Sequence, residues 1–152
     1  MNQYSQIIRH IKALAEADEY ISTVTNKGVD ETDEYISTLF PLFDVEITGA
    51  SYESQSTKTF SVTMSCLSIR DFNPNGNGKK FYQNDNEIDN LNETEACLNR
   101  IWLIMNRDYS EANIVASDSP SLDMLMDEKE HILDGWSINF DVTIPNTTIR
   151  LC

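Results

Sequence analysis

Three cysteines, two histidines and one run of alternating acids are the residues with the chemistry to do more than fold. A catalytic triad or a Cys–His pair needs an imidazole held beside a nucleophile. His10 lies in a helical stretch and His131 in an acidic one, and no motif places a nucleophile beside either. Cys66, Cys97 and Cys152 are odd in number, contain no Cys-x-x-Cys and have no histidine close by. That pattern fits neither a zinc site nor a disulfide framework. Cys66 falls in a strand-like run and Cys97 on a helix-like face, so both read as small buried hydrophobes, while Cys152 is terminal and reads as exposed.

Asp85-Asn86-Glu87-Ile88-Asp89-Asn90 spaces its acids as a calcium loop would. The sixth position is Asn90 rather than glycine and the twelfth is Ala96 rather than glutamate, so the EF-hand pattern fails twice. Acids gathered at a helix N-terminus, where the macrodipole favours them, account for the run better. Neither GxGxxG nor GxxxxGK[ST] occurs, so no phosphate-cradling loop is expected. Trp136 has the surface to stack on a ligand, but it is in phase with four core-type residues and reads as core. The expectation is a protein that is not an enzyme and holds no cofactor or metal.

Eleven basic residues against 25 acidic ones give a formal charge of −14. A nucleic-acid binder needs a basic footprint, and this chain repels phosphate. The acids are spread along it, at 16–19, 30–34, 85–95 and 123–134, as on a solvated surface past which DNA slides without sticking. No run approaches the 18 or so apolar residues of a membrane span. Arg9, His10 and Lys12 break any signal core, which makes synthesis in a reducing cytoplasm the expectation.

At 152 residues the chain fits one domain, 1–152, able to bury roughly two thirds of its unfolded surface. Residues 2–17 predict an amphipathic helix with Tyr4, Ile7, Ile8, Ile11, Leu14 and Ala15 on one face. Tyr20 to Thr25 is strand-like and is followed by an Asn26-Lys27-Gly28 turn. Asp-Glu-Tyr-Ile-Ser-Thr occurs at 18–23 and again at 33–38, too few copies for a repeat architecture but able to flank a hairpin. Val45 and Ile47 mark one strand and Phe60, Val62, Met64 and Cys66 the next. Asn73 to Lys80 is the strongest loop signal. A helix is predicted over 85–109, capped by Asn84 with Glu87 three residues on, and faced by Ile88, Leu91, Leu98, Ile101, Trp102 and Met105. Ile114-Val115, Leu122 to Met126 and a last strand complete the β content. That last strand, 136–144, alternates Trp136, Ile138, Phe140, Val142 and Ile144 with polar residues and stops at Pro145, which suggests a central position. The predicted order is αβββαβββ, an α+β fold with two main helices on a mostly antiparallel sheet.

Three segments also carry a resemblance. Tyr20-Ile21-Ser22-Thr23-Val24-Thr25 before a glycine turn, Leu39-Phe40-Pro41-Leu42-Phe43 opening a strand, and Leu133-Asp134-Gly135-Trp136 running to Ile144-Pro145-Asn146 follow one another in order. This arrangement resembles small neck and tail proteins of tailed bacteriophages of Bacteroidetes, crAss-like phages included, in most of the chain's order and spacing. The resemblance implies a tail-terminator-like α+β subunit of a ring around the DNA channel, between portal and tail. It implies a virion location, assembly in the host cytoplasm, and partners that are further copies (six or twelve) and neighbouring neck or tail proteins. DNA would pass without specific binding, and no membrane is involved. Long polar loops are where such subunits meet, so Lys27, Val29, Asp30 and Glu31 of the first hairpin are candidate interface residues. Asn75, Gly76, Asn77, Gly78, Lys79 and Lys80 of the polar loop are the others. The competing readings are a small acidic cytoplasmic protein–protein interaction module, acting as a nucleic-acid mimic, and an enzyme with an unfamiliar site.

Overall fold

The computed structural model describes residues 3–26, 40–70, 87–107, 114–126 and 133–146. The order is α1 (Gln3–Ala17), β1 (Thr23–Thr25), β2 (Leu42–Tyr52), β3 (Thr57–Ile69), α2 (Glu87–Arg107), β4 (Val115–Ala116), β5 (Ser121–Met126) and β6 (Leu133–Pro145). This is the predicted αβββαβββ order and an α+β fold. The strands form one sheet, β1-β2-β3-β6-β4, with β5 also on β6. Every pairing is antiparallel except β1 with β2.

The final strand lies inside the sheet, between β3 and the β4/β5 edge, as its alternation predicts. It begins at Leu133, three residues before the expected start, because Leu133 continues the ladder opposite Ile69. Phe60, Val62, Met64 and Cys66 stand opposite Val142, Phe140, Ile138 and Trp136, so one face of β3 and β6 is a continuous apolar surface. α1 covers part of this core through Ile7, Ile11 and Ala15, spaced four apart. Tyr4, expected on that face, is 43% exposed.

On α2 the buried stripe is Asn90, Thr94, Cys97, Leu98, Ile101 and Met105. Ile88, expected on the buried face, is instead 56% exposed. The stripe keeps its helical spacing but is polar over its first two turns, which apolar periodicity alone cannot follow. Trp136, expected to be buried, is half-buried: its ring packs on the core edge and its indole N–H donates to the Leu91 carbonyl at 2.9 Å.

One irregularity breaks the period-2 pattern. Ile47 pairs with Val62 and Gly49 with Ser61, so Thr48 is an extra residue. The bulge moves Ala50 and Tyr52 onto the face that Phe43, Val45 and Ile47 occupy before it. The tip of this β2–β3 hairpin is tied down by Asn146, whose backbone N–H donates to Ser56 O at 2.8 Å. The first of the two duplicated hexapeptides leads into β1. The second, the hairpin at Lys27–Glu34, the loop at Asn73–Lys80, Asn84, His131 and Cys152 all lie outside the described residues.

Candidate functional site

The chemistry-bearing side chains converge where the first half of α2 crosses the ends of β3 and β6. Ser68 and Asp134 stand opposite each other in the β3–β6 ladder, and Arg70 follows β3 directly. Asp134 is fully buried, and the Arg70 guanidinium grips it as a fork, with Nε 2.9 Å from Oδ2 and Nη2 on Oδ1. Glu87, on the first turn of α2, lies 3.6 Å from the same guanidinium. Asn90, one turn on, donates from Nδ2 to the Ile69 carbonyl at 3.0 Å. Thr94 returns its hydroxyl to the Asn90 carbonyl at 2.6 Å. The polar half of the α2 stripe is thereby satisfied: Asn90 caps the main chain at the end of β3 and Thr94 bonds back to its own helix, beside the Arg70–Asp134 pair.

Beside this lies a second group. The Cys66 and Cys97 thiols, one on β3 and one on α2, are hydrogen-bond partners, and that contact together with burial pushes the Cys66 thiol well above its ordinary range. Burial also pushes the Tyr20 phenol up, as does the negative charge of Glu93; Ser68 donates to its oxygen, and the phenol donates to the Glu93 carboxylate. Asp18 and Arg100 fork together at 3.0 Å for both contacts, joining the α1–β1 turn to α2. Burial opposes ionisation of Asp18, but Arg100 and the Tyr20 backbone N–H outweigh it and hold the carboxyl below its usual pKa.

A nucleophile needs a lowered pKa or an adjacent base. Here the thiol and the phenol are both driven towards their neutral forms, and the carboxylate is locked to a guanidinium. Among the described residues no buried side-chain nitrogen or oxygen lacks a hydrogen-bond partner, and no three His, Cys, Asp or Glu side chains converge as metal ligands. The cluster is built to hold helix to sheet. An open cleft of about 470 Å³ lies between α1 and the β1–β2 edge, with Arg9 and Lys12 among its walls. Both cations are exposed, and Lys12 pairs with Glu16 at 3.5 Å.

The opposite face of the sheet is polar along its middle and buried at Asp44, Thr59, Ser65, Leu67 and Ser137. Thr59 meets Thr143 at 3.3 Å, Ser61 donates to Asp141 at 3.1 Å, and Thr63 donates to Asn139 at 2.6 Å. Asn139 in turn donates to Asp123 on β5 at 3.0 Å. Glu46, Asp123 and Asp141 are exposed on this face. Among the described residues no lysine or arginine shares it.

All ten interface residues expected from the sequence, Lys27, Val29, Asp30, Glu31 and Asn75 to Lys80, lie outside the described residues. The structure instead brings together Arg70, Asp134, Glu87, Asn90 and the Cys66–Cys97 pair, none of which the sequence linked. Their separations along the chain hide the contacts. One signal was present: Asn90 and Thr94 sit in phase with Cys97, Leu98, Ile101 and Met105, and a polar residue in a buried stripe calls for a partner. No family model matches this chain, and it matches no curated protein.

Proposed function

We propose that the protein is a virion structural protein, a subunit of an oligomeric ring in a phage neck or tail that surrounds the DNA channel. The observation that carries this reading is the exposed acidic stretch of the sheet face just described. Its exposed charges are the acids Glu46, Asp123 and Asp141, no lysine or arginine lies there among the described residues, and its hydroxyl and amide side chains are tied to one another across the strands. Duplex DNA is held by cations that displace its counterions. A wall offering carboxylates and satisfied hydroxyls gives it nothing to grip, while the rigid sheet resists deformation. The polar cluster under α2 supports the same reading, since its ionisable groups are committed to structure.

The test is composition and assembly. Mass spectrometry of purified virions of the phage that encodes the chain is expected to find it in stoichiometric amount. Electron microscopy should place it between portal and tail in a ring of six or twelve copies. Virions that lack the chain would overturn the reading in favour of an intracellular interaction module.

A further inference from the structure

We infer that Cys66 and Cys97 form a latent disulfide site, closed by a small peroxide oxidant, that staples α2 to the centre of the sheet. Both residues are 0% exposed and belong to the same core cluster. They sit on elements packed face to face, Cys66 on β3 between Phe43 of β2 and Trp136 of β6, and Cys97 on the buried stripe of α2. Their thiols are free and are each other's hydrogen-bond partners. Two thiols that share a hydrogen bond across a helix–sheet interface are neighbours that an S–S bond can join.

The chemistry balances with hydrogen peroxide as the oxidant. One thiol loses its proton and attacks a peroxide oxygen, giving a sulfenic acid and releasing water. The second thiol, losing its own proton, attacks the sulfenic sulfur, forms the S–S bond and expels a second water. The two sulfurs together lose two electrons, and the peroxide O–O bond takes them up. Burial and the raised Cys66 pKa keep the first step slow, so the pair stays reduced among cytoplasmic thiols and responds to sustained oxidant. The loop so closed runs from residue 66 to residue 97, and closing it restricts the unfolded chain. The staple does not depend on ring assembly.

The experiment uses the full chain carrying Cys152→Ser, purified under reducing conditions and then treated with hydrogen peroxide. Intact mass is expected to fall by two hydrogens per chain. Peptide mapping without reductant should recover the peptides of Cys66 and Cys97 joined within one monomer. The Tm should rise by roughly 5–10 °C and return to its starting value on adding dithiothreitol. Adding Cys97→Ser should abolish the mass loss and the Tm rise; should that variant fail to fold, the peptide map decides alone. Both thiols still free to alkylation after unfolding, overoxidation of either sulfur to sulfinic acid, or a linked form that melts lower than the reduced one would each overturn the inference.

Discussion

Gly135 is fixed by the backbone of the neighbouring strand. A Cβ at this position would stand 2.0 Å from the Cys66 carbonyl oxygen and 2.9 Å from Leu67 Cδ2. The obstacle is main chain, so no side-chain rotation relieves it, and the β3–β6 ladder would have to part at its buried end. Gly135→Ala is therefore expected to lower the free energy of unfolding by about 3 kcal/mol or more, at the upper end of overpacking penalties. Gly49→Ala is the control, because nothing lies within 4 Å of its Cβ position. Urea unfolding of the two variants checks the pair, and equal stabilities would refute the steric account. Sequence alone shows Gly135 only as a glycine before Trp136. The need for it comes from Cys66, which is remote in the chain. Asp134 and Arg70 were hidden for the same reason, being adjacent in space and far apart in sequence.

Helix α2 shows how far periodicity reaches. Leu98, Ile101 and Met105 were legible because apolar side chains three and four residues apart share a face. Ile88 misled because it is apolar, while Asn90 and Thr94 hold the buried positions two turns and one turn before Leu98. Leu98→Ala should cost about 2–5 kcal/mol. Ile88→Ser should change stability by no more than about 0.5 kcal/mol. Thermal melts of the two variants measure the contrast, and a large loss for Ile88→Ser would restore the simpler amphipathic face. β3 and β6 were readable by the same logic, since each keeps strict alternation over a long run. β1, with three residues, and the bulge at Thr48 were not. A short parallel pairing and a one-residue insertion leave almost no trace in a hydropathy pattern and are set by tertiary contacts.

At the scale of the whole molecule, charge and architecture divide the two sheet faces between two tasks. Helices and apolar side chains consume one face; the other keeps Glu46, Asp123 and Asp141 exposed beside the Ser61–Asp141 and Thr63–Asn139 contacts. The formal charge of −14 was plain in the sequence, but that Glu46, Asp123 and Asp141 share a sheet face free of lysine and arginine among the described residues required the strand register. If that face lines a channel, the isolated protein should show no retention of duplex DNA on filters, even at low salt. Repulsion reaches furthest there, since the Debye length grows from about 10 Å at 0.1 M to about 30 Å at 0.01 M. Replacing Glu46, Asp123 and Asp141 with lysine places three cations on one sheet face at exposed positions. That variant should gain duplex affinity that falls with added salt, with a log–log slope of roughly −2 to −3 for up to three phosphates engaged. Particles built with it should eject their genome more slowly than wild type, because each passing phosphate now meets a cation. Tight duplex binding by the wild-type protein would rule out a non-adhesive wall, and wild-type ejection kinetics in the variant particles would place this face away from the channel.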